Sequence, residues 1–220
     1  MTSKKRCLII GNGASAHNFD KSKISNFEEL DIIGVNTFEG HIDVVGRPND
    51  IIIIGGGIRS GWNRKDGKND KMSKKYWKVH GAKLIDTRYE KHLKYTTPPE
   101  KVNGVEMPSL GQNPEFKKHT NKGHSNPNAA YSMKGMGCFF FCIEEGYDEV
   151  HVTGMDFSFK VKRYDGEYMR SEYKGSKGQI VKRTREEEVI LEHTINDWFK
   201  ALNATKFGES IVWHQKRMGE

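Results

Sequence analysis

The sequence predicts a single α/β domain over residues 1–220, built on a mainly parallel sheet with helices on both faces. Three observations carry that prediction. Short apolar runs without alternation recur at Cys7–Ile10, Asp31–Val35, Ile51–Ile54, Lys83–Ile85, Glu149–Thr153 and Ile211–Trp213. Strands of a parallel sheet are buried on both faces and read in this unbroken way. Segments with helix signals lie between several of the runs, and alternating strands and helices give a parallel sheet. The length, 220 residues, suits one domain of this kind.

The first run, CLII, ends in the turn Gly11-Asn12-Gly13. Glycine there can take φ > 0 and let another molecule approach the backbone. With Ala16 the spacing fits Gly-x-Gly-x-x-Ala, a weak dinucleotide signal on its own. The second run, DIIGV, leads to Asn36, where a nicotinamide-binding fold would carry an acidic residue for the ribose. Asn12 and Asn36 instead offer amides at neighbouring strand ends, able to donate and accept toward a nucleobase or ribose. The alternative is turn chemistry, since asparagine is favoured in turns. The chain contains no Gly-x-x-x-x-Gly-Lys-Ser/Thr and no Asp-x-Asp pair. A metal-independent nucleotide site with no resident cofactor is the reading that remains.

Pro127 to Gly146 reads as a helix, and its MGCFFFCI is apolar nearly all round, so it belongs at the centre. Cys138 and Cys142 lie one helical turn apart within it and, with Cys7, read as free buried thiols without a metal-ligand pattern. Thr184 followed by Glu187 is a capping box, and Leu191, Ile195, Trp198 and Leu202 form one apolar face behind it. Two segments break the pattern, about 58–75 and 159–183. Both are polar and glycine-spotted, and the second, which includes YDGEYMRSEYKGSKG, is expected to be a lid at the end of a parallel strand.

The formal net charge is +7, which favours a polyanionic partner. The excess is local: Arg59, Arg64, Lys65, Lys68, Lys71, Lys74, Lys75 and Lys78 are interleaved with Trp62, Tyr76 and Trp77. Cations interleaved with aromatics suit nucleic acid, with phosphates on the cations and bases on the rings. The alternative is a solvated face with its aromatics turned inward. No stretch approaches the ~18–20 apolar residues of a membrane span. The apolar run behind Lys4, Lys5 and Arg6 is too short for a signal-peptide core, so the expected location is cytoplasmic.

Two motifs carry a family resemblance. LIIGNGASAHNFDKSKISNFEELDIIGVNTF resembles the opening of the bacterial sialyltransferases of Campylobacter-type lipooligosaccharide synthesis, and GYDEVHVTGMDF resembles their later Gly-Tyr-x-Glu-Ile-x-x-x-Gly-x-Asp-Phe strand. The match covers roughly residues 6–38 and 129–165. It implies a Rossmann-like, GT-A type fold and a cytidine monophosphate (CMP) sugar donor held by Gly11, Asn12, Gly13, Ser15 and Asn36. It also puts Lys134 and Gly135 beside the donor and Tyr164 on its phosphate. The chain departs from the pattern at Ala14, where the family has proline, at Met133-Lys134-Gly135, where it has Thr-Ser-Gly, and at Ser158, where it has a second lid tyrosine. The family's catalytic histidine falls near Lys182, with no histidine close by. The candidates for catalysis are then Lys182 (beside Arg183) on the phosphate, and Asp156 or His193 as base. The alternatives are a loop-ordering carboxylate for Asp156 and a helix-surface ring for His193.

The expected function is sugar transfer from a nucleotide-activated, CMP-linked donor. The acceptor is a glycan, or, from the charge, a hydroxymethylated base in DNA as in phage-type DNA modification. The competing class is an inactive nucleotide- or nucleic-acid-binding protein, with a nicotinamide enzyme third.

Overall fold

The computed structural model describes residues 4–35, 40–54, 80–86, 90–95, 97–110, 134–160, 172–174 and 180–220. The six apolar runs are six strands: β1 (Arg6–Ile10), β2 (Asp31–Val35), β3 (Ile51–Ile54), β4 (Lys83–Asp86), β7 (Glu149–Thr153) and β10 (Ile211–Trp213). They form one sheet in the order β10-β7-β1-β2-β3-β4, and every pairing in it is parallel. Two short antiparallel hairpins stand apart, β5 (Lys101–Val102) with β6 (Val105–Glu106), and β8 (Glu172–Lys174) with β9 (Ile180–Lys182). The second hairpin falls within the expected lid, whose other residues from 161 on lie mostly outside the described ones.

The apolar runs lack alternation because each face of the sheet has its own core. Cys7, Ile9, Val150 and Val152 point into the larger cluster, formed with helices α2 (Lys134–Glu144) and α3 (Arg185–Asn203). Leu8, Ile10 and Ile32 point the other way, against Ile24, Phe27, Leu30 and Val45. That second face is covered thinly, by 3-10 turns at Ala14–Asn18, Lys21–Lys23 and Phe27–Glu29 and by the short helix α1 (Gly40–Val45). A further short helix, α4 (Lys206–Glu209), leads into β10.

The central helix is confirmed over Lys134–Glu144; residues 127–133 of the expected span lie outside the described ones. Phe139 and Phe141 in it are fully buried, and so are Cys138 and Cys142. The Cys7 and Cys142 sulfurs lie 3.6 Å apart as free thiols. Burial holds the Cys138 and Cys142 thiols well above their ordinary range.

Helix α3 begins as its sequence dictates. Glu187 N–H donates to Thr184 Oγ1 at 3.2 Å, and Thr184 N–H donates to Glu187 Oε2 at 2.9 Å. Leu191, Ile195, Trp198, Phe199 and Leu202 of this helix are fully buried. Replacing Thr184 with Ala should cost about 1 kcal/mol of stability through the lost cap. Trp198→Ala should cost ~3–5 kcal/mol through its cavity. Urea unfolding followed by circular dichroism checks both, and a smaller loss for Trp198→Ala than for Thr184→Ala would contradict this core.

Candidate functional site

The chain runs outward from β1 through β2, β3 and β4, then returns to the other side of β1 as β7 and continues to β10. The strand order reverses between β1 and β7, and ligands of open α/β sheets bind beyond the strands' carboxyl ends at such a point. Here the turn after β1 meets the loop after β7 backbone to backbone. Gly11 N–H donates to the Thr153 carbonyl at 2.9 Å, and Gly13 N–H donates to the Gly154 carbonyl at 2.7 Å. A Cβ on Gly11 would lie 2.2 Å from the Gly154 oxygen, and one on Gly154 would lie 2.3 Å from the Gly11 oxygen.

That contact corrects the reading of the glycines. Neither Gly11 nor Gly13 has positive φ; Gly13 is extended, with φ −72° and ψ 157°. They are glycines because the second loop occupies the space a side chain would need. A Cβ on Gly13 would stand 2.5 Å from Asp156 Oδ2. The left-handed residue is Gly154, at φ +70°. Phe157 nearby also has positive φ, +44°, a conformation that costs a bulky residue ~1–3 kcal/mol.

Ser15 and Asp156, singled out from sequence, tie the two loops together. Ser15 N–H donates to Asp156 Oδ2 at 3.0 Å. The Ser15 hydroxyl accepts from Gly154 N–H at 3.1 Å and donates to Gln215 Oε1 at 3.1 Å. Gln215 in turn accepts from Met155 N–H and donates to the Met155 carbonyl, both at 2.8 Å. Ser15 therefore spends its hydroxyl inside the protein. Asp156 performs the loop-ordering role that its sequence context offered as the alternative. Gln215 carried no sequence signal; only the fold brings it to residues 200 and 60 positions away.

Asn12 is held by His41, and His41 by Asn49, two residues that sequence reasoning passed over. The buried His41 ring lies between two asparagines, with Nε2 2.7 Å from Asn12 Oδ1 and Nδ1 3.1 Å from Asn49 Nδ2. Burial pushes His41 down to about 3, against the opposing pull of the Gly11 backbone. The ring is thus neutral, and its hydrogen-bond directions are fixed. Asn49 donates to Nδ1, and Nε2–H donates to Asn12, whose NH2 is left to donate elsewhere. Gly34 makes the room, since its Cβ would lie 1.9 Å from Asn49 Nδ2. A glycine inside an apolar strand was the one available signal.

A second polar cluster lies on the thinly covered face. Arg6 Nη2 donates to Glu149 Oε1 at 2.8 Å, the same oxygen is 2.7 Å from His151 Nε2, and His151 Nδ1 is 2.9 Å from His214 Nε2. Burial lowers both histidines. His214 lines a cleft of about 360 Å³ with Asn18, Asp20, Lys23, Trp213 and Gln215.

The other sequence candidates are dispersed. Lys182 is exposed at the end of β9, and His193 is exposed on α3. Lys134 opens α2. Gly135 follows it, where a Cβ would stand 2.9 Å from the Phe157 ring, so packing demands that glycine. Arg183 is buried with its guanidinium 5.7 Å from the Phe159 ring centre. Asn36, Tyr164 and the basic set Arg59, Trp62, Arg64, Lys65, Lys68, Lys71, Lys74 and Lys75 lie outside the described residues. Among the described residues no three His, Cys, Asp or Glu side chains are placed to hold a metal ion, and no helix is long and apolar enough to cross a membrane. No protein-family model, curated protein or solved structure matches the chain. The likeness to the sialyltransferases therefore rests on its two sequence motifs.

The lowered histidines have a consequence with a definite sign. Unfolded His41 binds its proton near 6.5 and the folded ring only near 3. Its contribution is full above pH 6.5 and is lost as pH falls, by ~1.4 kcal/mol per unit, or about 2 kcal/mol at pH 5. His151 and His214 act in the same direction. Denaturant unfolding at pH 7.5 and pH 5 should show the loss, and His41→Gln should lose less over the same interval. An equal pH dependence in the two proteins would contradict a buried neutral ring.

Proposed function

We propose that this chain is a Rossmann-like, GT-A type glycosyltransferase that takes a sugar from a CMP-linked donor bound above the β1 turn. The observation that carries the reading is the Asn12 amide. It stands at the reversal of strand order, with its oxygen accepting from a buried neutral histidine and its NH2 left to donate. A fixed donor suits the acceptor atoms of a cytosine edge or a phosphate oxygen. The two sialyltransferase-like motifs meet at the same place, the first containing this turn and the second ending in the Gly154–Asp156 loop packed against it. Transfer with inversion needs only an acceptor hydroxyl, a group to take its proton and donors for the departing phosphate. No metal is assigned a part.

Asn12→Ala removes the oriented amide. One or two hydrogen bonds at ~0.5–1.5 kcal/mol each correspond to a several-fold to tenfold or greater loss of affinity. Isothermal titration with CMP, CDP, UMP, UDP and NAD measures it. Wild type should prefer CMP, and Asn12→Ala should weaken that binding with the melting temperature little changed. Equal CMP affinity in the two proteins would remove the turn from the site.

A specific feature favours DNA as the acceptor, namely the cationic and aromatic residues from Arg59 to Lys78. Neutralised phosphates contribute about −0.9 each to the slope of log K against log salt on duplex DNA. Replacing Lys68, Lys71 and Lys75 with Gln should flatten that slope by up to ~2.7 and leave CMP affinity unchanged. Shallow and identical slopes for both proteins, on plain and hydroxymethylated duplexes, would return the acceptor to the glycans.

A further inference from the structure

The cleft beside the 3-10 turns has its own proton wiring, which the Asn12 site does not use. Arg6 donates to Glu149 Oε1 through Nη2 and Nε, at 2.8 and 3.0 Å. An ionised carboxylate only accepts hydrogen bonds, so the His151 Nε2 beside it carries a hydrogen. In the neutral ring Nδ1 is then an acceptor. His214 Nε2, 2.9 Å away, must supply the hydrogen between them. That leaves the lone pair of His214 on Nδ1. The ring is also fixed in space, stacked on His151 at 5.2 Å between centroids and packed against the Phe19 ring at 5.3 Å.

The chain of contacts runs outward from cover to solvent. His151 is only 5% exposed, whereas His214 is half-buried and lines the cleft. A volume of about 360 Å³ lies at the small end of ligand sites, enough for a compact polar ring. Its lining is polar, with the Asn18 and Gln215 amides, the Lys23 ammonium and the Asp20 carboxylate. Gln215 is also the residue bonded to Ser15 of the β1 turn, which makes the cleft a neighbour of the proposed donor site.

We infer that His214 is the general base of this protein, accepting at Nδ1 the proton of a hydroxyl on a polar acceptor seated in the cleft. Glu149 and His151 are its positioning residues. The inference rests on the transfer proposed above. In the step, the acceptor oxygen bonds to the anomeric carbon. The sugar–phosphate C–O bond breaks, with its electron pair leaving on the nucleoside monophosphate. The hydroxyl proton passes to His214 and from there to water after the products depart. The charged and titratable groups facing His214 are His151, with Glu149 and Arg6 behind it on the sheet, and Asp20 and Lys23 from the covering turns. Burial, His151 and Lys23 keep the ring neutral near pH 7, against the weaker pull of Asp20.

Two measurements on the full chain test it. Histidine ¹⁵N spectra above pH 7 should show His214 with its hydrogen on Nε2; a hydrogen on Nδ1 overturns the inference whatever the donor. CMP release from CMP-linked sialic acid, with water as acceptor, gives the rate. His214→Asn should lower kcat at least ~100-fold, the usual range for a lost general base, with CMP affinity and melting temperature retained. Glu149→Gln should move the acid limb of the kcat profile, which a purely structural carboxylate would not do. Turnover preserved in His214→Asn overturns the base alone. A wild-type protein that binds no nucleotide overturns the transfer reading, and this assignment with it.

Discussion

The backbone of Gly11 lies against that of Gly154 more closely than any side chain would allow, and this contact sets the height of everything above the sheet. Parallel neighbours usually part at their carboxyl ends and leave a crevice there. In this chain the pairing of β1 with β7 continues into the loops, through hydrogen bonds from Gly11 to Thr153 and from Gly13 to Gly154. With the floor closed, Asn12 projects toward α1 and Ser15 toward Gln215. Ser15, Met155 and Gln215 then knit the ends of β1, β7 and β10 together. A residue larger than glycine at position 11 or 154 would force the two loops apart and undo these ties together.

The same physical device appears twice, once on each side of β1. A histidine is buried until only its neutral form is tolerable, and a fixed partner then decides which nitrogen bears the hydrogen. For His41 the partner is the Asn49 amide, and the result is an Asn12 turned to donate. For His151 it is the Glu149 carboxylate, and the result is a His214 turned to accept. One device yields a donor and the other an acceptor. Burying polar rings costs stability unless their bonds are made. The thin cover of 3-10 turns over this face is where such rings fit, because the long helices α2 and α3 fill the other face with aromatic side chains.

These features explain how far the sequence could be read. The six sheet strands were legible because burial on both faces removes alternation, and helix α3 because its capping box is local in sequence. The hairpins at Lys101–Glu106 and Glu172–Lys182 were not, being short and without an apolar run. The glycines of the first turn were read as room for a ligand; the occupant is the backbone of a loop more than a hundred residues away, which no local pattern records. Ser15 and Asp156 were identified as important, yet their partnership spans 141 positions. His41, Asn49, His214 and Gln215 belong to no motif, and His151 falls at an unspecified position of the second one. Gly34, a glycine interrupting an apolar strand, is the local feature consistent with a close approach there, and it does not say by what.

The two acceptor readings place different demands on His214. A base must be unprotonated to work, and a nearby phosphate favours the imidazolium form. A DNA backbone entering the cleft would therefore oppose the neutral state that burial, His151 and Lys23 maintain. Lys23 would pair with such a phosphate and offset part of that opposition, and the cations between Arg59 and Lys75 would engage others. A neutral glycan makes no such demand, and its hydroxyls would meet Lys23 and the Asp20 carboxylate, whose Oδ1 already accepts from Ser22. The wiring behind His214 serves both cases, because Glu149 and Arg6 act through His151 and not through the ligand. In the proposed transfer, what would separate the acceptors is thus the charge brought to the mouth of the cleft, while the direction of proton movement would be set behind it.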